Sequence, residues 1–197
     1  RRRLRARYRT GLMTEVAGTL VLVVGPSGAG KDSVMAGART KLCHDARFVF
    51  ATRAITRPAG AGGEYHQPMN LADFDVAEQA GAFLLSWRAH GLAYGLPIAL
   101  ADDLNRGRIV VANVSRTVID QARTLYPGHV RVVAITVPRD VLAERLAQRG
   151  RETQEEIIER LDRTPIFFVD GPGVWELKND GPLKEAGQAL AEFLEQL

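Results

Sequence analysis

An apolar run, Thr19-Leu20-Val21-Leu22-Val23-Val24, is followed at once by Gly25-Pro26-Ser27-Gly28-Ala29-Gly30-Lys31-Asp32-Ser33 and then by a helix-compatible stretch from Val34 to Leu42. No other segment restricts the fold so tightly. A glycine-rich turn between a buried strand and a helix aims successive backbone N–H groups into one concavity, and the helix N-terminus adds partial positive charge there. Glycine is needed because a Cβ would block the close approach and the positive φ angles. The segment reads as a phosphate-binding loop, with Lys31 reaching the outer phosphates of a nucleotide. It departs from the usual pattern at one place. The residue after the lysine is Asp32 instead of Ser or Thr, with Ser33 one position later. Asp32 and Ser33 are the candidate Mg²⁺ ligands, since Mg²⁺ keeps several waters and needs one or two protein oxygens. The alternative for Asp32 is a favourable negative charge in the first helical turn.

Three apolar runs of strand length, Leu20 to Val24, Arg108 to Val114 and Val130 to Val137, are each followed by a helical pattern. That alternation predicts an α/β fold: a parallel sheet with helices on both faces. Helices are expected over Pro97 to Asn105, Thr117 to Leu125, Val141 to Gln148 and Leu183 to Leu197, the last with Asp180 as its cap. Thr153 and Glu156 form a capping box that starts another, while Ala59 to Gly63 and Gly171-Pro172-Gly173 read as loop and turn.

The 197 residues, 46% apolar and 25% charged, suit one soluble domain able to bury about 70% of its unfolded surface. The net charge of +3 suggests a nucleic-acid partner until it is located. Arg1, Arg2, Arg3, Arg5, Arg7 and Arg9 account for six basic residues; without them 20 basic face 23 acidic residues, a net of −3. The expectation is a basic tail over residues 1–17, a mildly acidic domain over 18–197, and no nucleic-acid role. Cys43 is the only cysteine, which excludes an internal disulfide and favours a reducing compartment, the cytoplasm. No apolar run approaches the roughly 18 residues that span a bilayer, so no membrane partner is expected. The four histidines, His44, His66, His90 and His129, lack metal-ligand spacing and read as ordinary polar residues. Any metal should arrive with the nucleotide.

A second cluster, Arg145, Arg149, Arg151, Arg160 and Arg163, flanks Gly150. Arg149 and Arg151 precede the capped helix, where a closing loop would neutralise a transferring phosphoryl group and exclude water. Arg160 and Arg163 are equally explained by i, i+4 pairs with Glu156 and Glu159. A third cluster contains Arg53-Ala54-Ile55-Thr56-Arg57-Pro58, Glu64-Tyr65-His66 and the segment from Phe83 to Gly95 that holds Trp87 and Tyr94.

Taken together, the phosphate loop, the Ile55-Thr56-Arg57 segment, Phe83 to Trp87 with Tyr94-Gly95, and Arg149-Gly150-Arg151-Glu152-Thr153 resemble guanylate kinases over about residues 19–180. The resemblance implies a three-layer P-loop NTPase fold with a parallel core sheet, an acceptor-binding insertion at about 50–96 and an arginine-rich lid at about 146–165. Where guanylate kinases read the base with acids, this chain has Ser86, Asn113 and Ser115. In these departures, and in Lys31-Asp32-Ser33 and Ser115-Arg116, it resembles ribose 1,5-bisphosphate phosphokinases of the same superfamily, enzymes of phosphonate breakdown. That implies ATP with Mg²⁺ and a small sugar phosphate as ligands. Residues 25–33 and Asn179 would then bind ATP; Lys31, Arg149 and Arg151 would be catalytic; Arg53, Arg57, Ser86, Tyr94, Ser115 and Arg116 would bind the acceptor. A nucleoside monophosphate kinase with an altered base pocket and a non-catalytic binding module are the alternatives. Oligomeric state is not legible.

Overall fold

The computed structural model describes residues 17–60, 65–148 and 169–197. In chain order the elements are β1 (Thr19–Val24), α1 (Lys31–Leu42), β2 (Phe48–Phe50), β3 (Ala54–Ile55), β4 (Gln67–Pro68), α2 (Leu71–Gln79), β5 (Phe83–Ala89) and β6 (Leu92–Pro97). There follow α3 (Leu100–Asn105), β7 (Ile109–Asn113), a 3₁₀ turn (Arg116–Val118), α4 (Ile119–Leu125), β8 (Val130–Thr136), α5 (Arg139–Gln148), β9 (Val174–Lys178) and α6 (Leu183–Glu195). The basic tail, the capping box at Thr153 and the lid arginines Arg149, Arg151, Arg160 and Arg163 lie outside the described residues. No described helix is long and apolar enough to cross a membrane.

The chain packs as two units: one takes the chain to Val21 with Asp45–Val130, the other Leu22–His44 with Arg131–Leu197. In the first, β2 pairs parallel with β7, Phe48 opposite Ile109, and β7 neighbours β1 in the core sheet. A second, four-stranded sheet in the order β4-β3-β6-β5 holds the region expected to bind the acceptor. Its β5–β6 hairpin turns at His90 and Gly91, with φ 51° and 72°, the left-handed pair that a two-residue hairpin loop requires. Phe74 of α2 stacks on Phe83 at 4.6 Å and fastens the helix to this sheet.

In the second unit β1 neighbours β8, and β8 pairs parallel with β9 from Val132↔Val174 to Thr136↔Lys178. Leu22, Val23 and Val24 are fully buried, as a continuous apolar run demands. Helix α6 buries Ala186, Gly187, Leu190, Ala191 and Leu194, one stripe at helical spacing. It crosses α1 so closely that a Cβ on Gly187 would lie 3.1 Å from the Gly37 Cα.

Three local expectations shift. Helix α1 begins at Lys31, a turn before Val34, because Gly30 in the left-handed region (φ 80°) stands at its N-cap. The helix expected from Pro97 begins only at Leu100, since Pro97 closes β6 opposite Phe83. Asp180 does not cap α6: Pro182 occupies the N-cap and no side chain bonds there.

Candidate active site

The loop from Gly25 to Gly30 leaves β1 and enters α1 within the second unit. Gly28 and Gly30 have φ of 93° and 80°, conformations that cost an L-residue roughly 1–2 kcal/mol each. Space is equally tight. A Cβ on Gly28 would sit 2.8 Å from Leu142 Cδ1 and 3.2 Å from Leu146 Cδ2, so α5 lies directly against the loop. A Cβ on Gly30 would sit 2.8 Å from Asn179 Nδ2.

Lys31 Nζ donates to the Gly25 and Pro26 carbonyls, each at 2.9 Å, which curls the ammonium back over the loop. Asp32 and Ser33 are exposed in the first turn of α1. Asn179 follows β9, is 1% exposed, and donates from Nδ2 to the Ala29 carbonyl at 2.8 Å. Its Oδ1 is buried with no hydrogen-bond partner among the described residues, an acceptor that stability alone does not explain. Arg145 presents the converse: on α5, between Leu142 and Leu146, its Nη1 is a buried donor without a partner among the described residues. Sequence reading grouped Arg145 with the arginine cluster without singling it out; its place between Leu142 and Leu146 on α5 was the available signal. A nucleotide fits this set: amides and Lys31 for phosphate, with an unspent acceptor on Asn179 beside them.

The acceptor candidates lie in the first unit. Arg53, 9% exposed, immediately precedes β3 and sets its guanidinium 5.6 Å from the Tyr94 ring centroid. Tyr94 stacks in turn on Trp87, directly opposite in register, at 5.3 Å and 3° between planes. Arg57 follows β3, and Nη2 lies 3.5 Å from His66 Nδ1. The structure thus gathers Arg53 and Tyr94, with Arg57 at the other end of the two-residue β3. Side-chain alternation puts Ser86 on the opposite face of the hairpin from Trp87 and Tyr94. There the Arg88 guanidinium and the Ser86 hydroxyl both bond Glu78 and hold its carboxyl below the usual range. Ser115 accepts from Thr117 N at 3.3 Å and from Thr117 Oγ1 at 2.9 Å, capping the 3₁₀ turn that begins at the exposed Arg116. Asn113, at the end of β7, is 5% exposed. His66 was read as ordinary; a histidine nine positions past an arginine carries no local signal.

A glycine loop between a buried strand and a helix, with a lysine held over it, defines a P-loop phosphotransferase. The fold agrees: the crystal structure of a guanylate kinase from Anaplasma phagocytophilum superposes with a TM-score of 0.64 at 16% identity, over 91% of this chain and 85% of that one. No protein-family model matches the chain. A protein named ribose 1,5-bisphosphate phosphokinase PhnN from Chelativorans sp. (strain BNC1) is 50% identical over 178 residues, 90% of this chain and 85% of that protein. One of the same name from Brucella melitensis biotype 2 is 48% identical over 181 residues, 91% of this chain and 92% of that protein. The chain belongs to the ribose 1,5-bisphosphate phosphokinase PhnN family.

Proposed function

We propose that the protein transfers the γ-phosphoryl group of ATP to the 1-phosphate of ribose 1,5-bisphosphate, forming 5-phosphoribosyl 1-diphosphate and ADP in phosphonate degradation. The observation that carries this is identity of 48–50% with phosphokinases of that name over about nine-tenths of the chain. In the reaction an oxygen of the anomeric phosphate forms a bond to the γ-phosphorus, and the bond from that phosphorus to the β,γ-bridging oxygen breaks. The acceptor oxygen is already ionised near neutral pH. The protein therefore needs no dedicated base; it must align two anions and neutralise the charge between them.

The loop amides of residues 25–33 and Lys31 would take the ATP phosphates, Lys31 exchanging its carbonyl partners for phosphate oxygens that gain charge in transfer. Asn179 Oδ1 would accept from the nucleotide, and Arg145 would donate to it. Asp32 and Ser33 would hold Mg²⁺, which would supply positive charge to screen the phosphate chain. Arg149 and Arg151 would cover the transferring group. Arg53, Arg57, Tyr94 and Arg116 would hold the acceptor phosphates. Ser86 and Ser115 take no charge-bearing part in this scheme: a guanine reader needs acceptors for the purine N–H groups, and two hydroxyls in place of carboxylates favour an anionic sugar.

The test is ADP release with GMP, AMP, ribose 5-phosphate and ribose 1,5-bisphosphate at equal concentration. The sugar bisphosphate should turn over far faster than the others, and Arg57→Ala should raise its KM with little change in the KM for ATP. GMP turnover equal to or above that of the sugar bisphosphate would restore the nucleotide-kinase alternative.

A further inference from the structure

His66 is 8% exposed, and both its ring nitrogens face one residue: Nε2 lies 3.2 Å from the Arg57 carbonyl oxygen and Nδ1 lies 3.5 Å from Arg57 Nη2. A carbonyl can only accept and a guanidinium can only donate. Nε2 is therefore the nitrogen that donates to the carbonyl, and Nδ1 is the one that faces the guanidinium. Backbone fixes both partners. Gln67 N donates to Arg53 O at 2.9 Å and Met69 N to Ile55 O at 3.0 Å, so the strand that begins just after His66 is tied to the strand that ends two residues before Arg57. Thr56 is held from two sides by Ala93: Thr56 N donates to Ala93 O at 3.0 Å, and Ala93 N donates to Thr56 Oγ1 at 2.8 Å.

We propose that His66 is the positioning residue that presents Arg57 to the acceptor phosphate. The proposal rests on the reading of Arg57 as an acceptor ligand. A long arginine side chain loses rotamer freedom when it binds an anion, and a ring that holds the guanidinium in advance removes that cost from the binding step. His66 touches no substrate in this role; it acts through Arg57 and on acceptor affinity alone.

Steady-state kinetics on three variants test it. His66→Ala should raise the KM for ribose 1,5-bisphosphate roughly tenfold, with kcat and the KM for ATP within about twofold of the parent. His66→Asn, which keeps an acceptor at the place of Nδ1, should recover most of that loss, and His66→Gln, which keeps only the donor at the place of Nε2, should recover less. In an Arg57→Ala background His66→Ala should have no further effect on that KM, because the interaction it removes is already gone. An unchanged acceptor KM in a folded His66→Ala protein would overturn the role, as would an equal rise in both backgrounds. Should His66→Ala fail to fold, the Asn and Gln variants decide: equal acceptor KM values overturn the proposal. A parent enzyme without turnover on ribose 1,5-bisphosphate would instead overturn the acceptor assignment itself.

Discussion

Replacing Asn179 by aspartate changes one donor into an acceptor at a buried position. The amide is 1% exposed, and its Nδ2 meets the carbonyl of Ala29, itself fully buried, at 2.8 Å. An ionised carboxylate would set oxygen against oxygen at that distance, while a protonated one could donate its hydroxyl to Ala29 and rebuild the bond. Folding therefore raises the pKa of the introduced carboxyl above its unfolded value of about 3.9. A raised folded pKa means that the native state binds the extra proton. The variant is then closest to the parent at low pH and loses stability as pH rises from about 4 to the raised value, levelling beyond it. With a rise of about 2–3 units for a group this buried, at 1.36 kcal/mol per unit, the deficit reaches about 3–4 kcal/mol by pH 8. About 2 kcal/mol of it should open between pH 5 and pH 8. Urea unfolding of parent and variant at both pH values, compared at a common slope, measures this directly. A deficit at pH 8 below about 1 kcal/mol, or one equal at the two pH values, would refute the reasoning, because the amide would then be wet or not engaged with Ala29.

Lys31→Ala should lower kcat by at least about 10²–10³-fold while the melting temperature barely moves, since Nζ, which donates to two loop carbonyls in the resting structure, acts on charge that develops in transfer; near-parental turnover would remove Lys31 from the chemistry. Glu78→Gln should cost at most about 1 kcal/mol at pH 7, because the Arg88–Glu78 pair is substantially exposed. The lowered pKa of Glu78 means its contribution is complete above the ordinary glutamate range and disappears as pH falls through the folded value, so parent and variant should converge in urea unfolding at about pH 3.

The loop and the core strands were legible because their signals are local. A run such as Thr19 to Val24 followed by glycines and a lysine specifies strand, turn and helix through periodicity and turn chemistry alone. Strands β3 and β4 were not legible. Two residues each, they have no period to detect, and they exist because Ala54 and Ile55 find partners in β4 and β6. The hairpin segment was recognised as a motif through Trp87 and Tyr94, yet only its register shows that Ser86 turns away from them to Glu78. The cap of α6 was misplaced for the opposite reason: Asp180 has the right chemistry, but the chain reaches its helix only after Pro182.

By itself the sequence determined the phosphate loop and the α/β class, since each depends on residue type and short spacing, while the reading of Ser86 and Ser115 as departures came from the resemblance to guanylate kinases. The tertiary structure alone decided which polar atoms meet. Asn179 and Ala29 are 150 residues apart and share a hydrogen bond, and Arg57 and His66 face one another across a sheet edge built from strands too short to predict. Side-chain hydrogen bonds are short-ranged and directional, so which distant residues form them is settled only when the packed backbone has brought them within about 3 Å.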